Sequence, residues 1–457
     1  MKWRVMIELG TVQLREVSAG GSTTAKCSAE TLGLRVAKGK MILAGLQRHL
    51  VRTQTEERCQ RRRRCDYCGA QRPLKDFRRR RLTSLYGVVE VRAPRFSPCR
   101  CGVASRRTLT PVAEIMPDRC TPDYERTLAK MGSVLPYRRA RSLLDEFFPL
   151  GDTPEVETIR QRTLHVGARL EREAATLPTS APPAKARSIT LAIDGGHVKA
   201  VCSHQGRSFE VFVAQVSNDD GEHVAFSSMP AEADRQAQQL RGVLHDLGAT
   251  SRTPATIPSD GADGPRSLGE AASVGPTHHV LDWFHLSMRI QHVAQAVKGW
   301  PGATAKVRQE GARLADIVDQ LIRWRLWHGQ VQRSLNLIGD TLEPLDAMAK
   351  GEAPTAVPAA KVAGVLRSLE TYVSGQSDLI IDYATARQSD EPISTATTES
   401  TVQWLLHRRV GANQQMRWSS RGAHLMLKVR TSVMNRTFNK DYAAAERWAR
   451  RPFRNAA

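Results

Sequence analysis

Ile189-Thr190-Leu191-Ala192-Ile193-Asp194-Gly195-Gly196 is the stretch on which the fold turns. Ile189, Leu191 and Ile193 alternate, which puts their side chains on one face of a β-strand. Asp194 ends this run, and two glycines follow it. Asp-Gly is a common turn pair, so one reading makes Asp194 a turn residue. The other makes it a carboxylate presented at a strand end. Downstream, 208–216 and 223–228 read as strands, and 231–247 as a helix stopped by Gly248. Residues 255–258 read as a short strand leading into Ser259-Asp260-Gly261, 266–273 as a helix and 278–281 as a strand; a helix follows from Trp283. The order β-β-β-α-β-α-β-α predicts an α/β domain starting near Ser188.

Asp260 carries the same ambiguity as Asp194, and Asp263-Gly264 offers a second turn of that type. A third acid, Glu399, sits in Thr398-Glu399-Ser400-Thr401 at the start of a helical run. Glutamate is ordinary in a first turn, where it complements the helix dipole. Yet Val402, Leu405, Leu406 and Val410 define an apolar face, and Glu399 lies three residues before Val402 on it. A carboxylate aimed at a core needs a partner, and a metal would serve. Together the three acids suit two Mg²⁺ ions roughly 4 Å apart, because Mg²⁺ takes hard oxygen ligands. The interval between Asp260 and Glu399 has room for a helical segment at 291–391, broken near Pro301, Gly329 and Pro354 to Pro358. Trp324 and Trp327 read as core of that segment.

The chain around these acids has 457 residues and a net charge of +21. That length predicts about two to four domains, and the charge favours a polyanionic partner, nucleic acid or an anionic membrane. No apolar run approaches the ~18 residues of a membrane span. Met1-Lys2-Trp3-Arg4 lacks the apolar core of a signal peptide, so a cytosolic protein is expected. Eight cysteines in this length do not make a disulfide scaffold; clustered ones point to metal.

The cluster is Cys65-x-x-Cys68-Gly69 followed by Cys99-x-Cys101-Gly102, a pattern that predicts a four-cysteine zinc ribbon. Cys59 is an alternate ligand; Cys27, Cys120 and Cys202 read as packing residues. Two arginine runs flank the first pair: Arg61, Arg62, Arg63 and Arg64, then Arg78, Arg79, Arg80 and Arg81. Such runs are either solvated faces or phosphate contacts, and their place on a zinc module favours phosphate. Around this block, 1–36 is ambiguous, 38–58 reads as a helix, and 85–96 as a strand interrupted by Gly87 and ended by Pro94. Residues 136–144 and 156–164 read as helices joined by 145–153. They form either an ordinary hairpin or a helix-turn-helix with Thr158, Arg160, Gln161 and Arg162 facing DNA. Leu177-Pro178-Thr179-Ser180-Ala181-Pro182-Pro183 is a linker.

Five segments carry a family resemblance: Ile193-Asp194-Gly195-Gly196, Ser259-Asp260-Gly261, Leu281-Asp282-Trp283-Phe284-His285-Leu286-Ser287-Met288-Arg289, Glu399-Ser400-Thr401-Val402, and Gln415-Met416-Arg417-Trp418-Ser419-Ser420-Arg421-Gly422-Ala423-His424. In these the chain resembles DDE transposases of bacterial insertion sequences, and among them the ISKra group. The resemblance implies a ribonuclease H-like core with a helical insertion, and Asp194, Asp260 and Glu399 as catalytic acids holding Mg²⁺ or Mn²⁺. It implies binding of double-stranded DNA, both terminal inverted repeats and target, by a homo-oligomer. A bacterial cytoplasmic, nucleoid-associated protein with no membrane partner is expected. Asp282 is either the N-cap of a helix or the middle metal ligand in place of Asp260. His285 either contacts DNA near the scissile bond or is a buried hydrogen-bonded histidine.

The expected division is therefore an N-terminal helical segment (1–58), a zinc-binding basic module (59–112) and a helix-turn-helix region (113–176). A linker (177–187) leads to the catalytic core (188–290), the helical insertion (291–391) and the rest of the core with a basic tail (392–457). Two other functions compete with transposition: a ribonuclease H-like nuclease without strand transfer, and a decayed zinc-containing DNA-binding regulator.

Overall fold

The computed structural model describes residues 2–9, 12–21, 33–101, 107–116, 118–174, 185–201, 206–229, 233–395, 400–411 and 416–449. The chain divides into two compact units, Met1–Arg169 and Leu170–Ala457. Glu399, Cys27, Cys202, Gln415 and most of the expected linker lie outside the described residues.

The first unit opens with a β-hairpin, β1 (Lys2–Leu9) against β2 (Val12–Gly21), where a helical segment was expected. A strand is stabilised by a partner distant in sequence, which local periodicity does not display. Helix α1 (Val36–Arg63) runs five residues past the expected end at 58 and carries Arg61, Arg62 and Arg63 in its last turn. Cations there complement the helix dipole. Next come β3 (Leu74–Ser84) and β4 (Gly87–Phe96), an antiparallel pair with Ser84 opposite Gly87 and Arg81 opposite Glu90.

Sequence reading found β4 and missed β3, because the arginines of β3 hide its alternation. Gly87 does not interrupt a strand: at φ +108° it makes the hairpin turn. Nor does Pro94 end one, since β4 continues to Phe96. In a two-stranded ribbon every strand is an edge, where proline is tolerated. Leu82, Val89, Val91 and Ala93 pack with Cys59 and Val112 into one core. Helices α2 (Pro111–Ile115), α3 (Pro122–Val134), α4 (Tyr137–Phe147) and α5 (Val156–Ala174) follow.

The second unit is built on a five-stranded sheet. Its strands are β5 (Ile189–Lys199), β6 (Ser208–Asn218), β7 (His223–Ser228), β8 (Ala255–Ser259) and β9 (Thr277–Leu281). Their spatial order is β7-β6-β5-β8-β9, with β6 antiparallel to both its neighbours, β5 and β7, and with β8 parallel to β5 and β9 parallel to β8. This mixed sheet is compatible with a ribonuclease H-like core. Helices α6 (Ala233–Asp246) and α7 (Asp263–Ala272) connect the later strands. Ile189, Leu191 and Ile193 bury against Leu240, Leu244 and Leu268 of these helices, so the expected face is the core face.

Helix α8 (Trp283–Lys298) leads into the helical segment, where Ala305–Asp316, Val331–Ala349 and Ala356–Gly375 are the long elements. Leu286, Ile290 and Val293 of α8 share one core with Leu326, Ile338, Leu342, Leu366 and Tyr383. Trp327 packs edge-on against Trp283 at 4.7 Å. Trp324, expected in that core, is 51% exposed and lies on His328 instead. No helix among the described residues is long and apolar enough to cross a membrane.

Candidate active site

Strand register brings three aspartates to one level. Ile189 and Thr190 of β5 pair with Ala255 and Thr256 of β8; continued in that register, Asp194 and Asp260 come opposite each other. Ser259 pairs with Leu281 of β9, and Asp260 and Asp282 are the next residues. The Asp282 amide bonds the Ser259 carbonyl at 2.8 Å, so the alignment holds past the strand ends. At a strand spacing of about 4.8 Å, the row spans about 10 Å.

Asp194 does not end its strand, contrary to expectation. It lies within β5, opposite Val213 of β6, and Gly195 and Gly196 continue the ladder. The glycines serve close approach rather than a turn. A Cβ on Gly196 would lie 2.2 Å from Leu406 Cδ1, so only glycine lets the 400–407 helical stretch reach this strand. That stretch is fastened twice more. The Thr401 hydroxyl donates to Gln215 Oε1 at 2.8 Å, and Gln215 sits opposite Ala192 on the sheet face that carries Asp194. Arg430, 1% exposed, donates from Nε to the Leu405 carbonyl at 2.9 Å and also reaches the Trp404 carbonyl. Val402, Leu405, Leu406 and Val410 are buried, as their spacing predicts.

Asp260 is the residue after β8 and is half-buried. Its Oδ1 accepts the Ala262 amide at 2.9 Å, an Asx turn completed by Gly261 at φ +89°. The Tyr372 hydroxyl holds its backbone carbonyl at 2.8 Å, and Arg289 lies over the Tyr372 ring at 3.9 Å. The turn reading and the carboxylate reading of Asp260 are thus not exclusive: the turn fixes the carboxylate.

Asp282 is fully buried. Oδ1 accepts the Phe284 amide at 2.9 Å and the Thr395 amide at 3.0 Å. Oδ2 accepts His285 Nδ1–H at 2.6 Å and the Thr395 hydroxyl. Each oxygen already has two donors, and the bond from the Phe284 amide makes Asp282 the N-cap of α8. Burial alone would push this carboxyl up, but the His285 and Thr395 hydrogen bonds outweigh it and hold it below the usual carboxylate range. The bond to Asp282 raises the His285 pKa against its own burial, and the charges of Asp194 and Asp260 add to the rise. His285 therefore shares one electrostatic neighbourhood with all three aspartates.

Asp194 and Asp260 are half-buried oxygen donors at matched height on adjacent strands, a set that suits Mg²⁺ or Mn²⁺. The described chain is anchored on both sides of Glu399, at Thr395 and at Thr401.

In the first unit, the Sγ atoms of Cys65, Cys68, Cys99 and Cys101 lie within 4.8 Å of one another. Cys65 to Cys101 is 3.8 Å and Cys68 to Cys99 is 3.4 Å. Thiolates around a tetrahedral zinc stand about 3.8 Å apart, given a Zn–S bond of about 2.3 Å. The donor set therefore fits zinc. The Cys68 and Tyr67 amides pull the Cys65 thiol down to about 6. Gly69 at φ +73° makes the turn that aims these amides. Cys59, the alternate ligand, belongs instead to the apolar core.

Of the arginines, Arg61, Arg63, Arg64, Arg78, Arg79 and Arg81 are exposed. Arg62 bonds Asp66 and Glu114, Arg80 reaches the Met116 carbonyl and Arg81 pairs with Asp152. The two expected helices are present as α4 and α5. Thr158 and Gln161 are exposed, and Arg160 forks onto Glu157. Arg162, expected to face DNA, turns inward to the buried Glu125, which also holds Arg169 and His165.

Sequence reasoning missed Thr395, which carries no local signal, and Glu171. The Glu171 carboxylate is buried against Arg421 and against His424 Nε2 at 2.8 Å.

No protein-family model matches the chain, and no curated protein matches it. A solved structure described as the Drosophila P element transposase strand transfer complex is similar to it at 12% identity and a TM-score of 0.32, over 69% of this chain and 92% of that one.

Proposed function

We propose that this chain is a DDE transposase, cutting and joining DNA with Asp194, Asp260 and Glu399 as the acids that hold two Mg²⁺ or Mn²⁺ ions. The observation that carries the reading is the level row of Asp194, Asp260 and Asp282 across three adjacent parallel strands. Bound there, the ions would activate the attacking oxygen and stabilise the leaving oxygen of an in-line displacement. Asp282 is the orienting member of the row: its bond to Nδ1 fixes the His285 ring and favours its protonated form. Held in this way, His285 would face the reacting strand and place its phosphate. A water oxygen adds to phosphorus as the P–O3′ bond breaks, leaving a 3′ hydroxyl and a 5′ phosphate. The 3′ hydroxyl then attacks a target phosphodiester in the same way.

The basic surface of the first unit suits DNA. Arg61, Arg63 and Arg64, just before a four-cysteine site that fits structural zinc, and Arg78 and Arg79 of β3 stand exposed. Such contacts position a protein on DNA without reading its sequence. Two transposon ends must be held at once, which calls for a homo-oligomer on inverted repeats.

The test is Mg²⁺-dependent cleavage and joining of DNA bearing the ends of the element, on a supercoiled target. Asp194→Asn, Asp260→Asn and Glu399→Gln should each lower both steps by about 10³-fold or more while the fold stays intact. Cleavage that survives Glu399→Gln removes that residue from the triad. Cleavage without joined product assigns the chain to the nucleases.

A further inference from the structure

The β3–β4 ribbon has two faces. On one, Leu82, Val89, Val91 and Ala93 pack into the core with Cys59 and Val112. Side chains alternate along a strand, so the other face carries Phe77, Arg79 and Arg81 of β3 and Glu90 and Arg92 of β4. All five are exposed.

Strand register sets Arg79 directly opposite Arg92 on this outward face, and Arg81 opposite Glu90. Directly opposed side chains stand about 5 Å apart at Cβ, where like charges destabilise a sheet. The chain does not neutralise the pair: among the described residues, no carboxylate lies in ion-pair range of Arg79 or Arg92. The Arg92 guanidinium lies over the Phe77 ring at 3.8 Å. The ring covers one face of that group and leaves its N–H edge to an acceptor from outside. Phe77 itself is 43% exposed.

Both ends of the ribbon are fixed. Arg81 pairs with Asp152, and a Cβ on Gly87 would lie 3.2 Å from the Pro149 carbonyl oxygen, so the loop after α4 seats the hairpin turn. At the far end Arg95 forks onto Asp76. The outward face is thus held on a rigid scaffold.

A partner for this face must bring acceptors to two guanidinium groups and apolar surface to Phe77. The major groove of DNA offers both. Guanine presents N7 and O6 there, which match one guanidinium, and thymine presents a methyl group that an aromatic ring can touch. A phosphate backbone offers acceptors alone. The groove is about 12 Å wide and admits a two-stranded ribbon, whose strands lie about 4.8 Å apart.

We propose that the outward face of the β3–β4 ribbon docks in the major groove of DNA, with Arg79 and Arg92 reading guanines and Phe77 touching a neighbouring thymine methyl. DNA as the partner rests on the proposed function; the assignment makes Arg79 a base contact rather than a phosphate contact. The experiment is selection from a library of random-sequence duplexes by the full chain without added Mg²⁺, followed by affinity measurement on the selected duplex. Wild type should enrich a common site containing guanine. Arg79→Gln and Arg92→Gln should each lose the preference at one guanine and weaken the selected duplex about tenfold, with little effect on unselected DNA. Melting temperatures check folding, and Arg79→Gln should be no less stable than wild type, since it removes an opposed charge. Glucosylated 5-hydroxymethylcytosine, which fills the major groove, should abolish the preference; distamycin, which fills the minor groove, should not.

Variants that weaken all duplexes equally, with a shallower salt dependence, overturn base reading and leave phosphate contact alone. Binding that glucosylation leaves unchanged overturns the groove assignment. A chain that selects a site through Arg79 and Arg92 but never cuts DNA keeps the ribbon and discards the catalytic reading. A chain that cuts DNA, with both variants selecting as wild type does, discards the ribbon and keeps the catalysis.

Discussion

Thr395 donates two hydrogen bonds to Asp282, one from its backbone amide at 3.0 Å and one from its hydroxyl. Both residues are buried. The chain returning from the helical segment is thereby fastened to the carboxylate that orients His285. It then proceeds to Glu399 four residues later.

Thr395→Val keeps the shape and the backbone bond but removes the hydroxyl. It leaves Asp282 Oδ2 with one donor fewer inside the protein, at a cost of about 1–3 kcal/mol. Urea denaturation should show that loss, and the rate of DNA cleavage should fall while DNA affinity holds. Thr395→Ser restores the hydroxyl and should recover both. A Val variant as stable and active as wild type would show that the hydroxyl contributes nothing.

The Asp282–His285 pair makes stability depend on pH in two opposite directions. His285 has a raised pKa, so its contribution is fully present below its ordinary value of 6.5 and is lost as pH rises through the raised one. Asp282 has a lowered pKa, so its contribution is present above its ordinary value of 3.8 and is lost as pH falls through the lowered one. The stability gap between wild type and His285→Gln should therefore be wider at pH 6 than at pH 9. Paired urea titrations at the two pH values measure it; a gap that widens toward pH 9 contradicts the assignment.

What was legible in the sequence follows from how local each signal is. The order of strands and helices from Ile189 to Lys298 is written in alternation and helical period, which neighbouring residues carry. Asp194 and Asp260 were legible as candidates, but their shared level was not, because register belongs to the pairing of strands. Strand β3 was hidden since Arg78, Arg79, Arg80 and Arg81 blank out the polar-apolar alternation. Asp282 was legible as a helix cap, but not its bonds from Thr395, which is distant in sequence. Arg162 read as DNA-facing because its partner, Glu125, lies on another helix.

Zinc at the four cysteines should be part of the folding free energy of the first unit. Elemental analysis should find one zinc per chain, and Cys65→Ser and Cys99→Ser should each lose it. A chelator should lower the melting temperature of wild type and leave these two variants unchanged. Full zinc content in both variants would remove the site.

Gly196→Ala tests the contact that seats the helical stretch after Glu399. The new Cβ would meet Leu406 Cδ1 at 2.2 Å, too close for either atom to stay. Leu406 is 1% exposed and closely surrounded, so the stretch must shift rather than the side chain alone. Overpacking of this kind costs about 1–3 kcal/mol. A displacement of even about 1 Å at a positioning element lowers catalysis about 10²-fold. Cleavage should therefore fall further than the stability loss explains. Gly196→Ala combined with Leu406→Ala vacates the space and should regain part of the activity while losing stability to the smaller core side chain. That opposite movement of rate and stability separates a seating contact from a general packing defect, in which the double variant would be worse than the single on both measures.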